Sequence, residues 1–150
     1  MSRAALQTAM QNALVLAVCT GHLPRAQALL EIGSQVNVRD SNGSLALVET
    51  ARMNDVHMMR MLIKNGADIN ASSGAKKTAL IYAAGHGNAS FVQRLLEMGV
   101  DISARDRSGV PALAHAARAG HESVVRMLSN AERSQSAQGT STGAIQTIFY

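Results

Sequence analysis

Cys19 and His22 stand three residues apart, a pair of types in which an imidazole could take a proton from a thiol and leave a nucleophilic thiolate. No third group to orient the base can be identified near them, and Cys19 closes the apolar run ALVLAVC (13–19). The expected role of Cys19 is therefore that of a helix-end residue. The five histidines, His22, His57, His86, His115 and His121, are not grouped at the spacing of a metal site. The segment Gly74-Ala75-Lys76-Lys77-Thr78 has the composition of a phosphate-cradling loop but not its order, which needs glycine directly before the lysine at a strand-to-helix junction. Asn42-Gly43-Ser44, Asn70-Ala71-Ser72 and Asn88-Ala89-Ser90 fit the glycosylation acceptor pattern, yet all three are asparagines beside small residues, as turns require. No catalytic, cofactor-binding or metal-ligating residue is predicted.

Composition narrows the classes further. A chain of 150 residues with 47% hydrophobic and 16% charged residues fits one globular domain. With two Phe, two Tyr, no Trp and eight Met, its core must be assembled from many small aliphatic contacts, which suits helices. The run ALVLAVC is too short for a membrane span or an export signal, and Val18 is a poor residue to precede a lipoprotein cysteine. One cysteine cannot form an internal disulfide. A reducing compartment is expected, the cytoplasm first, with the nucleus or a host-cell cytoplasm compatible. The net charge of +4 favours an acidic partner, but the longest basic cluster is Lys76-Lys77.

The elements that must position these residues repeat every 33 residues. Leu14, Leu47, Leu80 and Leu113 share a column, as do Leu29, Leu62, Leu95 and Leu128. Gly33, Gly66 and Gly99 fall together, and Gly21, Gly87 and Gly120 align with Asn54. Each unit reads as a turn such as Asp40-Ser41-Asn42-Gly43 or Asp106-Arg107-Ser108-Gly109, then an alanine-rich helix (46–53, 79–86 or 112–119). A Gly or Asn stop follows, and then a second helix with a continuous apolar stripe, as in VHMMRMLIKNG (56–66) and SFVQRLLEMG (90–99). Neither helix is long enough to be stable alone. His22 and His121 share a column at the start of the second helix and are expected to cap and pack.

These residues resemble the ankyrin repeat over roughly residues 11–130. The resemblance rests on Thr78-Ala79-Leu80 with Ala83-Ala84, Gly120-His121 with Val124-Val125, Leu95-Leu96, and Gly66-Ala67-Asp68-Ile69-Asn70. It implies an all-α solenoid of stacked helix-turn-helix units joined by β-hairpin-like turns, with units near 4–39, 40–72, 73–105 and 106–130. The family's His in its T-P-L-H element is Val15, Val48, Ile81 and Ala114 here, so the polar links that this His makes between repeats are expected to be missing and stability to be modest. His115, one place late, is not assigned that role. The third turn carries Lys76 where Gly43 and Gly109 stand, and a different turn geometry is expected there. Residues 7–10 lack a turn signal, so the first helix should begin near Ala4. Past Asn130 the column glycine is Glu132, which marks the end of the repeats. Residues 131–150 form a polar tail, expected to be disordered as far as Gly143; its apolar end, Ile145–Tyr150, is expected to fold back on the last repeat or make a second contact with a partner.

The resemblance also implies a function: a non-enzymatic protein–protein interaction module, serving as scaffold, adaptor or inhibitor. Carried onto this chain, the family's displayed positions give Arg39, Asn42, Arg52, Met53, Lys76, Lys77, His86, Arg105, Arg107 and Arg118 as partner-binding residues. This face is basic, and the acids Glu31, Glu49, Glu97, Glu122 and Glu132 are expected to lie largely elsewhere. The expected partner is another protein, through an acidic segment; no cofactor and no membrane are expected. Nucleic-acid binding through the same basic row is the runner-up, disfavoured because stacking aromatics are not expected beside the charges. A non-catalytic subunit of a larger assembly is a further alternative.

Overall fold

A computed structural model describes the backbone of residues 2–149 and the side chains of residues 2–137. The segment 145–150, expected to fold back or make a second contact, has its side chains outside the described residues.

Among the described residues the chain forms eight helices: α1 (Arg3–Cys19), α2 (Leu23–Glu31), α3 (Ala46–Met53), α4 (Val56–Lys64), α5 (Ala79–His86), α6 (Ala89–Glu97), α7 (Ala112–Ala119) and α8 (Glu122–Phe149). The alanine-rich helices α3, α5 and α7 span the residues that the 33-residue register predicts, and α1 starts one residue before Ala4. Each unit folds its odd-numbered helix back against the following even-numbered one. The inner helices α1, α3, α5 and α7 then pack in succession, while α6 bridges α4 and α8 on the outer side.

Local chemistry sets the boundaries. Ser2, Asp55 and Thr78 cap α1, α4 and α5, accepting from the backbone N–H groups of Ala5, Met58 and Ile81. Inner helices stop where the backbone turns left-handed, at Asn54 (φ 54°), Gly87 (φ 73°) and Gly120 (φ 78°). At Gly87 the requirement is double, because an added Cβ would also lie 2.5 Å from the His121 ring.

One continuous core runs through the stack. Leu14, Leu47, Leu80, Met58, Met59, Leu62, Phe91, Val92, Leu95 and Leu128 are all buried, packed around the alanines of the inner helices. Burying a side chain of this size contributes about 1.5–3 kcal/mol. The small residues of the inner row let those helices approach closely, and the outer helices add larger side chains, Met58, Met59, Phe91 and Leu95 among them.

Two expectations fail here. The third hairpin keeps the geometry of its neighbours: Lys76 N–H donates to Ser73 O at 2.9 Å and Ser73 N–H to Lys77 O at 2.9 Å, as Gly43 does to Asp40 (3.0 Å) and Asp40 to Ser44 (3.0 Å). Lys76 takes up a left-handed φ of 56° to do so. Flanking repeats fix the turn more strongly than the missing glycine disfavours it, at about 1–2 kcal/mol.

Residues outside the column of the family's His supply polar links between repeats. Asn37 donates to Gly66 O (2.9 Å) and accepts from Asp68 N–H (2.7 Å), and Asn70 accepts from Asp101 N–H (2.8 Å) in the next unit. Asn12 accepts from Ser41 N–H at 3.0 Å across the first boundary, and within the first unit Gln11 donates to Val38 O at 2.6 Å. His121 bonds Gly85 O at 3.1 Å.

Finally, α8 runs through the region expected to be disordered. Glu132 stands in the column of the glycines that follow the other outer helices, so the left-handed stop is gone, and extending an existing helix is far less costly than starting one.

Candidate functional site

The three hairpins at 40–44, 73–77 and 106–110 line up beside the inner helices. An aspartate fixes the first and third: Asp40 Oδ1 accepts from Asn42 and Ser44 N–H at 2.9 and 2.8 Å, and Asp106 Oδ1 from Ser108 and Val110 N–H at 2.9 Å each. Arg39 donates to Ser72 O (2.6 Å), and Arg107 to Gly74 O (2.6 Å) through its side chain and to Ala75 O (3.1 Å) through its backbone. Hairpin is thus tied to hairpin by guanidinium groups lying across backbone carbonyls.

The ten residues expected to bind a partner occupy this face in different states. Arg39, Asn42, Arg52, Met53, Lys76, His86, Arg105, Arg107 and Arg118 are exposed and Lys77 is half-buried. Arg105 donates to Gly109 O in its own hairpin at 2.9 Å, and the Nδ1 of His86 faces Tyr82 O at 2.7 Å. Met53 is a bare apolar spot, 53% exposed. Among the described residues Arg52 is the only one of the ten in an ion pair, 3.0 Å from Glu49.

Glu49 corrects the expectation that this acid lies elsewhere. It is 6% exposed, on the inner helix beneath the face, held by Arg52 and by the Cys19 thiol, which donates at 3.5 Å. Burial and the Glu49 carboxylate push the Cys19 thiol up to about 11, so at neutral pH it is a protonated donor and not a nucleophile.

Leu16, Glu49, Tyr82 and His115 form a further 33-residue column along the inner helices. Sequence reasoning did not read it as a displayed row, although the spacing was available. Leu16 is 59% exposed, and the Tyr82 ring lies half-buried beneath Lys77, with Nζ 5.5 Å from its centroid. An aromatic therefore does stand beside the charges, contrary to expectation. His115, left without a role, donates from Nε2 to Asp106 Oδ2 at 2.7 Å and locks the last hairpin onto α7. Backbone N–H donation from Val110, followed by the His115 bond, holds Asp106 below its usual carboxylate range.

Among the described residues no three His, Cys, Asp or Glu side chains are placed to hold a metal ion, and no helix is long and apolar enough to cross a membrane. Stacked helix pairs that present a common face of hairpins and inner helices define a repeat protein of the solenoid class. The chain belongs to the ankyrin repeat family: a model described as ankyrin repeats (3 copies) matches residues 72–138, and one described as ankyrin repeats (many copies) matches residues 47–96. Members of this family typically act as non-catalytic modules that bind other proteins. No curated protein matches the chain.

Proposed function

We propose that the face formed by the hairpins and inner helices binds an acidic segment of another protein. The observation that carries this reading is the state of its cations. Arg39, Arg105 and Arg107 are each oriented by a bond to a neutral backbone carbonyl, which fixes the side chain without cancelling its charge. Lys76, Lys77 and Arg118 have no carboxylate within ion-pair distance among the described residues. Part of the ordering cost of binding is already met in the free protein, and complementary charge then favours fast, specific association. The role that follows is scaffold, adaptor or inhibitor.

Lys77 over Tyr82 favours a second reading, single-stranded nucleic acid, because a cation beside an aromatic ring suits a stacked base.

The test uses a fluorescein-labelled hexaglutamate peptide and anisotropy at low salt. Reversing Lys76, Lys77 and Arg118 together to Glu, with the melting curve unchanged, should weaken binding by more than about tenfold. Equal binding by the folded variant would sink the proposal. Displacement by a short single-stranded oligonucleotide at lower concentration than by unlabelled hexaglutamate would favour the second reading.

A further inference from the structure

The face is not basic throughout. Between α1, the 40–44 hairpin and α3 lies a cavity of about 370 Å³, whose lining includes Asn12, Leu16, Cys19, Asp40, Glu49 and Arg52. Its two acids occupy the columns that hold Asp106 and His115 two repeats later. In the fourth unit the hairpin aspartate is fully engaged: Oδ1 takes two backbone N–H groups, and Oδ2 takes the N–H of His115 at 2.7 Å. In the second unit Asp40 Oδ1 takes the same two backbone bonds, at 2.9 and 2.8 Å. The column of His115 now holds Glu49, whose carboxyl carries no N–H and whose oxygens already accept from Arg52 and Cys19. Among the described residues no side chain donates to the second oxygen of Asp40.

Arg52 neutralises one of the two carboxylates, at 3.2 and 3.0 Å from the two Glu49 oxygens, which leaves the cavity with a net negative charge. Burial raises the Cys19 thiol most and the Glu49 carboxylate raises it further, against a lowering by Arg52 that exceeds the push from Asp40. Leu16, exposed at one wall, offers apolar surface to a methylene stem.

We propose that this cavity receives a cationic side chain, the ammonium of a lysine or the guanidinium of an arginine, from the bound protein segment. That group supplies in trans the N–H donor that His115 supplies within the fourth unit. The inference rests on the reading of this face as a binding surface for a protein segment, and it refines it. The segment carries a cation at the second repeat and acids at the third and fourth, so the charges fix both its register and its direction.

The experiment is an amide-resolved NMR titration of the full chain with N-acetyl-arginine amide, N-acetyl-lysine amide and the neutral N-acetyl-citrulline amide. The first two should shift the Asn42, Ser44 and Glu49 amides saturably, the tighter one identifying the preferred cation; citrulline should not. Glu49→His restores the pair seen in the fourth unit, so it should weaken the cationic probe by about tenfold, the loss of a charge-assisted interaction, while the melting temperature holds or rises. Asp40→Asn, which keeps an acceptor for the turn, should weaken the probe to a similar degree. Absence of saturable shifts, equal shifts with citrulline, or undiminished binding by the folded Glu49→His variant would overturn the proposal. Hexaglutamate separates the two readings. Shifts from it at Lys76, Lys77 and Arg118 without any from the arginine probe reject the cavity alone, whereas the reverse pattern rejects the basic face and keeps the cavity.

Discussion

Single residues in this stack are constrained by their columns more than by their neighbours in sequence. Ser34 shows it most simply. It is 7% exposed, its hydroxyl has no hydrogen-bond partner among the described residues, and the same column holds Ala67 and Val100, which are also buried. A hydroxyl buried without a partner loses its hydration and regains nothing. Ser34→Ala should therefore stabilise the protein by about 1 kcal/mol, read as a higher urea midpoint with an unchanged slope; a lower midpoint would show that the hydroxyl is satisfied in solution. Lys76 illustrates the opposite balance, a residue held in a left-handed conformation because the hairpins on either side leave the chain no other course.

At the scale of elements, the hairpins and inner helices stabilise one another through polar bonds that the register did not reveal. The last hairpin meets α7 through Asp106 and His115. Because the folded Asp106 carboxyl titrates below its ordinary value of 3.8, its contribution to stability is complete above that value and disappears as pH falls through the folded value. Asp106→Asn should therefore lower stability at neutral pH and flatten the acid limb of the stability curve below about pH 4. Denaturant melts at a series of pH values measure this, and parallel acid limbs for the two proteins would contradict it. Helix α8 makes a related point about termination: with Glu132 in place of a column glycine, no local signal ends the last outer helix.

At the scale of the molecule, stability is a chain of interfaces between successive units, each burying what a lone helix pair would expose. Phe91, the largest fully buried side chain among the described residues, belongs to α6, which touches both α4 and α8. Phe91→Ala should cost about 3–5 kcal/mol, a large share of the 5–15 kcal/mol typical of a whole domain. The melting temperature should fall steeply, and hydrogen exchange should accelerate across the α4, α6 and α8 amides together. Loss of protection confined to α6 would show that the units open independently.

Much of this architecture was legible in the sequence because a solenoid writes its geometry as a period: one register assigned the boundaries of α3, α5 and α7, the start of α1 near Ala4, and the columns that became the core. The candidate site was legible only in part. Side chains such as Arg39 and Lys77 could be placed on the displayed face, since their columns are fixed relative to the turns. What each charge does there depends on partners one repeat away. That Arg39 spans to Ser72, that Arg52 is spent on a buried Glu49, that Tyr82 lies beneath Lys77, and that Asp106 finds His115 while Asp40 finds none are consequences of stacking. A repeat pattern determines which residues recur at one height in the stack. Only the packed structure decides which of them meet, because electrostatic and hydrogen-bond energies depend on distances of a few ångströms that a period of 33 residues does not contain.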